Sequence, residues 1–279
     1  MRIGVVAPST PIQADTAERV TAIAAALYPD LRLDFHPQCF LVHKHFAGDD
    51  AARADAFAQV ANDPAYDALW FARGGYGSCR IAEAVLARLE PAARAKTYLG
   101  YSDAGFLLAG LDRAGFPQLA HGPMPNDVWR DGGEAAVVRA LRWMVERSPD
   151  TIEPGLVDGE PAIAFNLTVF SQLIGTPLQP DVAGRVLLLE EVSEYMYRID
   201  RSMFHVTSNP AVRQAAGIRL GRCDPIPENA PDFGESEEDV ARHWCTRSGI
   251  VYLGRADIGH DSGNHIVPFV RRSTRREAN

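Results

Sequence analysis

One serine in this chain is flanked by the residues that covalent chemistry needs: Leu99-Gly100-Tyr101-Ser102-Asp103-Ala104. Glycine two positions before and alanine two after let the backbone turn sharply from strand to helix, which lifts the hydroxyl clear of a sheet edge as a nucleophile. The N–H groups at the start of the following helix would face an oxyanion formed there. The same hexapeptide also suits an ordinary helix N-cap serine. A second feature, Arg73-Gly74-Gly75-Tyr76-Gly77, follows another apolar run. Its glycines let backbone amides approach a ligand with no Cβ in the way. Such a loop supplies an oxyanion donor or cradles a carboxylate or phosphate, and a tight turn needing positive φ reads equally well. It is neither a GxGxxG fingerprint nor a Walker loop.

An acid and a base come from the second half. Glu190 ends the apolar run Leu187-Leu188-Leu189, where a carboxylate can accept from the Nδ1–H of a histidine and fix its tautomer. Glu191 reads as a solvated strand end. Beyond it, Glu194 and Arg198 are four apart and read as a helix salt bridge. His260 lies in Ile258-Gly259-His260-Asp261-Ser262-Gly263-Asn264, a glycine-rich loop that can reach across to a serine from another domain. His121, in His121-Gly122-Pro123, follows a strand and is the rival base. His205 is expected to pack from a helix. His43 and His45 flank Lys44, which disfavours a metal between them. The reaction these types point to is acyl transfer by a serine hydrolase.

The elements that must position them alternate in the first half. Strands are expected at Ile3–Ala7, Leu31–Phe35, Ala68–Ala72 and Thr97–Tyr101. Helices are expected at Ala14–Leu27, Asp49–Val60, Asp103–Leu111 and Glu134–Arg147. This rhythm predicts an α/β fold with a parallel sheet covered by helices. After Ser148-Pro149-Asp150 the segments become irregular and proline-rich, as in a second domain. There, strands are expected at Ala162–Phe165, Arg185–Leu189 and Ile250–Leu253, a helix at Tyr197–Val206, and an exposed acidic loop over Glu228–Glu238.

The chain has 279 residues, of which 46% are hydrophobic and 23% charged, with net charge −8. A globular core follows, and no clustered basic face invites nucleic acid or anionic lipid. The basic run Arg271, Arg272, Arg275 and Arg276 reads as a solvated terminus. No apolar run approaches the length of a membrane span. The four cysteines are scattered without a CxxC pair, which suits a reducing cytoplasm and neither zinc nor disulfides.

Taken in order, these pieces resemble the LD-carboxypeptidase family of serine peptidases, which includes muramoyltetrapeptide carboxypeptidases and microcin C immunity peptidases. The similarity runs from Val5-Val6-Ala7-Pro8 to about Pro268. It passes through Ala47-Gly48-Asp49, the glycine loop, Gly100-Tyr101-Ser102-Asp103, His121-Gly122-Pro123-Met124, Asn166-Leu167-Thr168, Leu189-Glu190-Glu191, Tyr197-Arg198-Ile199-Asp200-Arg201, and His260 with Asn264. The resemblance implies Ser102 as nucleophile, Glu190 as acid, His260 as base, and the Gly75 and Asp103 amides as oxyanion hole. It implies an N-terminal flavodoxin-like or Rossmann-like domain (1–150) and a C-terminal swivelling β/α domain (151–279), with the site in the cleft between them, usually in a homodimer.

The implied activity is cleavage of an L,D-peptide bond, releasing terminal D-Ala from a murein tetrapeptide in cell-wall recycling. The implied partner is a small peptide, with no metal, organic cofactor, nucleic acid or membrane. Arg73, Arg198 and Arg201 are candidate grips for the terminal carboxylate, and Tyr76 and Asn166 are further substrate contacts. Phe165 follows Ala164 where the family carries glycines, and its bulk would narrow the cleft or change the substrate. Val270 replaces a glycine, and the short polar tail 271–279 would lack a closing strand. Three other readings stand beside this one: a peptidase of the same family acting on a microcin C-like peptidyl-nucleotide, a non-catalytic module holding a sugar or nucleotide phosphate, and a generic esterase.

Overall fold

The computed structural model describes residues 1–157 and 159–271. The first half comprises β1 (Arg2–Val6), α1 (Ala14–Leu27), β2 (Arg32–Phe35), α2 (Asp50–Asn62), β3 (Ala68–Phe71), α3 (Ala82–Leu86), β4 (Thr97–Gly100), α4 (Gly105–Arg113), β5 (Leu119–His121) and α5 (Gly133–Glu146). The second comprises β6 (Ala162–Asn166), α6 (Leu167–Leu173), β7 (Val186–Glu191), α7 (Met196–Ser208), β8 (Gly217–Cys223), α8 (Glu237–Ser248), β9 (Tyr252–Arg255) and β10 (Val267–Pro268).

β3 and β4 are buried at every position, which is why they are continuous apolar runs rather than alternating ones. The first sheet has the order β10-β5-β4-β3-β1-β2, parallel except for antiparallel β10. Its parallel part is the 2-1-3-4-5 order of doubly wound folds, whose ligand crevice opens beyond the carboxyl ends of β1 and β3. The glycine loop and the serine turn follow β3 and β4 at that edge. The second sheet, β6-β7-β8-β9, is parallel throughout.

The two halves are tied by the end of the described chain. Val267 and Pro268 pair with His121 and Ala120 of the first sheet. Val270 N–H then donates to Ala162 O at 3.0 Å and Ala162 N–H to Val270 O at 3.1 Å, on β6 of the second. One apolar cluster runs through both halves, from Phe71 and Leu107 to Leu187 and Leu220.

Phe165 is buried in that cluster, stacked on Phe170 at 5.3 Å and packed on Phe269 at 5.4 Å. Its bulk is thus taken up in the joint between the halves, and it is not exposed to narrow an open cleft as expected. Strands β8 and β10 and helices α3, α6 and α8 are additional to the expected elements, and the expected Ile250–Leu253 strand begins two residues later at Tyr252. The acidic loop ends earlier than expected because Ser236 and Asp239 form a reciprocal capping box that starts α8. The expected terminus beyond Arg271 lies outside the described residues.

Candidate active site

Ser102 sits just past the carboxyl end of β4, after extended Tyr101, as the first residue of a 3-10 turn that leads into α4. Its φ is +58°, in the left-handed region that costs a non-glycine residue on the order of 1 kcal/mol. Close neighbours require glycine around it. A Cβ on Gly100 would stand 2.4 Å from Phe71, and one on Gly74 would stand 2.8 Å from Ser102 Oγ and 3.5 Å from Asp103 N. The glycine loop therefore lies directly against the serine. Gly75 holds φ +105° and is exposed. Its N–H and that of Asp103 enter none of the turn, loop or cap hydrogen bonds.

Buried side chains, not the loop alone, fix this arrangement. Asp103 accepts from Ser9 Oγ and from Ser78 N at 2.8 Å, while Ser78 Oγ donates to the Asp103 carbonyl. Burial pushes the Asp103 carboxyl up against the pull of these donors. Thr10 Oγ1 donates to Gly74 O at 2.6 Å. The guanidinium of Arg53, fully buried on α2, donates to Pro8 O at 2.5 Å and Gly77 O at 2.8 Å and is covered by Phe46. The loops after β1 and β3 are thus held to one another by a charged side chain that no sequence pattern singles out.

Glu190, at the end of β7, is fully buried and faces away from the main core. Leu188 on the same face packs in a small cluster with Ile258 and Val267. His260 Nδ1 lies 2.6 Å from Glu190 Oε2, a short charge-assisted hydrogen bond. Burial alone would raise the Glu190 carboxyl, but the charge and hydrogen bond of His260, with His121 close by, outweigh it and hold the group well below the usual carboxylate range. His260 is buried as well, which pushes its imidazole down. Glu190 outweighs that and raises it above its ordinary value.

The His260 loop is clamped from both halves. Arg222 of β8 donates to Asp261 Oδ1 at 2.8 Å, and Arg139 of α5 donates to Ser262 O at 2.7 Å. The His260 ring rests on Tyr101, next to Ser102 in sequence, with centroids 4.7 Å apart, and Tyr101 OH is fixed by Asp127 at 2.8 Å. His260 Nε2 is buried and has no hydrogen-bond partner among the described residues, Ser102 included. Such contacts are commonly long before substrate binds.

Glu191 corrects the expectation of a solvated strand end. It is buried, accepting from Asn166 Nδ2 at 2.7 Å and Thr168 Oγ1 at 2.7 Å. Burial and the neighbouring Glu190 raise its carboxyl. Asn166 is committed to Glu191 and, through Oδ1, to capping α6 at Val169 N. Arg198 pairs with Glu194 at 2.6 Å, and Arg201 lies over Tyr197. Both border a hollow beside Thr168, on the Glu191 side of β7. Arg73 is exposed beside Gly74, with one bond to Pro11 O at 3.2 Å. Tyr76 is exposed and packs on Phe46 and His45. His205 is exposed rather than packed, bonded to Ser171. A larger hollow of about 580 Å³, lined by Arg147, Ile152 and Glu153, is at the other end of the first sheet, since Arg147 contacts Thr97 at the start of β4.

If His260 is the base it must be neutral to act, so its raised value places the acid limb of kcat/KM above about pH 6.5. A pH–rate profile should show activity falling through that limb, and Glu190→Gln should move the limb downward. A limb unmoved by Glu190→Gln would disconnect Glu190 from the base.

Comparison with known proteins gives a consistent assignment. A model of the LD-carboxypeptidase N-terminal domain matches residues 3–122, and one of the LD-carboxypeptidase C-terminal domain matches 161–274. The chain is 26% identical to the murein tetrapeptide carboxypeptidase of Pseudomonas aeruginosa over 96% of this chain and 91% of that one. Among solved structures it superposes on a muramoyltetrapeptide carboxypeptidase from Oxalobacter formigenes with TM-score 0.80 and 19% identity, covering 97% and 93% of the two chains. The microcin C7 self-immunity protein MccF superposes with TM-score 0.79 and 16% identity, covering 96% and 91%.

Proposed function

Because the chain belongs to the LD-carboxypeptidase family, and so is a serine-type peptidase, we propose that it releases terminal D-Ala from a murein tetrapeptide through Ser102, His260 and Glu190. The observation that carries this reading is the 2.6 Å bond from His260 to fully buried Glu190, with the second imidazole nitrogen left free beside the Tyr101-Ser102 turn. A non-catalytic binding module gives no reason for that pair, and membership of a peptidase family sets that alternative aside.

In this mechanism Ser102 Oγ attacks the carbonyl carbon of the scissile L,D-amide while His260 Nε2 takes its proton. Glu190 keeps Nδ1–H directed to itself and stabilises the imidazolium. The oxyanion is met by the Gly75 and Asp103 N–H groups, each contributing about 3–4 kcal/mol in comparable sites. Collapse breaks the C–N bond, and His260 returns the proton to the leaving amine. Water, deprotonated by His260, then releases the acyl group from Ser102. A carboxypeptidase must also hold a terminal carboxylate. Arg73 is the arginine adjoining the serine through Gly74, whereas Arg198 and Arg201 border the Glu191 side. All four cysteines are free thiols, which suits a cytoplasmic role in cell-wall recycling, and the family resemblance adds a homodimer.

A second substrate is favoured by one feature. Tyr195 and Tyr197 stack at 5.6 Å, remain exposed, and border a hollow of about 510 Å³ with the loop Glu228–Phe233. This aromatic surface would accept the base of a peptidyl-nucleotide. Purified protein should therefore be given murein tetrapeptide and a peptidyl-nucleotide in parallel, with released D-Ala and nucleotide measured and Ser102 tested for fluorophosphonate labelling. D-Ala release with labelling is the expected result. Nucleotide release alone selects the second substrate, and absence of both products and of the label sinks the proposal.

A further inference from the structure

The mechanism above leaves His121 unused, yet it is among the most deeply buried titratable groups of the described chain. It is 1% exposed, and neither ring nitrogen has a hydrogen-bond partner among the described residues. A third orphan faces it. Glu190 Oε1, the carboxylate oxygen that His260 does not use, is also buried without a partner and lies 4.0 Å from His121 Nε2. Burying a carboxylate oxygen or an imidazole nitrogen without a partner is costly, and here the donor and the acceptor that could satisfy one another are about 1 Å beyond hydrogen-bond reach.

The backbone around His121 is tightly held. It is the last residue of β5, registered against Gly100 of β4 on one side and Val267 of β10 on the other. Its ring meets Tyr101 edge-on at 5.4 Å, and Tyr101 in turn lies against His260 at 4.7 Å. The charged or titratable groups facing this cluster are Glu190 from β7, with Glu191 next to it on the opposite side of the strand, His260 from its loop, and Tyr101 with Asp127 and Arg130 behind it. Of these, it is His121 that lies 4.0 Å from the free oxygen of Glu190.

We infer that His121 is a positioning residue, whose Nε2–H is the second donor to Glu190 and fixes that carboxylate from the side opposite His260. The inference rests on the proposed triad. It removes His121 as a rival base, since a nitrogen committed to Glu190 cannot also serve the serine. Its chemistry is simple. Two donors, one on each oxygen, keep Glu190 ionised and prevent rotation of the carboxylate, so that His260 presents Nε2 to Ser102. With His121 removed, the carboxylate becomes more basic and grips the His260 proton harder. The acid limb of the rate profile then moves to higher pH.

The test uses the intact protein and three variants. His121→Leu is expected to lower kcat on the order of tenfold to a hundredfold and to raise the acid limb by about one pH unit, with KM little changed. His121→Gln, which carries an N–H donor at similar reach, should recover most of kcat and the original limb. A purely structural role would not produce that recovery or the shifted limb. An unaltered kcat and limb in His121→Leu, or equal loss in the Leu and Gln variants, overturns the inference. If His121→Leu does not fold, 15N-histidine NMR of the unaltered protein decides: His121 should be the Nε2–H tautomer, and an Nδ1–H tautomer refutes the assignment. Ser102→Ala run alongside separates the two layers. Activity retained there removes the triad itself, whereas activity lost there with His121→Leu unaffected removes this inference only.

Discussion

Ser102→Gly should yield a protein that is inactive and more stable. On the triad reading, loss of the nucleophile lowers kcat by roughly 10⁵–10⁶, the scale seen when one member of a serine triad is removed. The gain in stability comes from the backbone. Ser102 is held at φ +58°, a conformation that glycine adopts at lower cost by about 1 kcal/mol. For a chain of this length that corresponds to a rise in Tm of roughly 2–4 °C. Ser102→Ala is the control, because alanine suffers the same left-handed strain. It should lose activity equally and gain nothing in Tm. Calorimetry of the three proteins together with D-Ala release separates the two effects. Equal Tm for the Gly and Ala variants would mean that the turn stores no strain. Activity surviving in both would mean that the hydroxyl is not the nucleophile.

The residues that make the serine turn were readable in the sequence because they must be small. Gly74 and Gly100 have no room for a Cβ, and such positions mark themselves in any sequence. The first-half strands were readable for a related reason: strands buried on both faces need uninterrupted apolar runs. Glu190 and Glu191 mark the limit of that kind of reading. They are adjacent and chemically identical, and both are buried, yet His260 lowers one carboxyl while burial and its neighbour raise the other. Only the second sheet's packing decides which side each faces, so the sequence assigned Glu191 to solvent.

Arg53 was not readable at all, since an arginine one turn into nothing more than an alanine-rich helix normally faces water. Its burial depends on carbonyl groups of two distant loops. β10 was missed for the same physical reason. A two-residue strand has no periodicity of its own, and its place is set by the edge of β5 that it completes.

Arg185→Ala should be the most damaging change away from the reacting groups. Arg185 precedes β7, and its guanidinium donates to Asp112 Oδ1 and Oδ2 at 3.1 and 3.0 Å, to Asp181 O at 3.0 Å and to Ala162 O at 3.1 Å. Both charged side chains are almost fully buried. Removing the arginine strands a carboxylate in the interior. Breaking such a pair typically costs about 3–5 kcal/mol, or a fall in Tm of roughly 6–20 °C for a chain of this size. Arg271, half-exposed and 3.5 Å from the same carboxylate, offsets part of that loss. The double variant Arg185→Met with Asp112→Leu leaves no buried uncompensated charge, since Arg271 is half-exposed, and should recover most of the Tm.

Activity should follow a different course. Asp112 is in the last turn of α4, the helix that begins just beyond Ser102, and Arg185 leads into the strand that carries Glu190 next to its last residue. The ion pair therefore joins the far ends of the two elements whose near ends hold the proposed nucleophile and acid. An apolar replacement restores packing but not direction. The double variant should regain its melting temperature while kcat remains depressed and the acid limb of the pH profile stays where it was. Full recovery of kcat with Tm would mean that apolar packing alone suffices to align the two halves of the site.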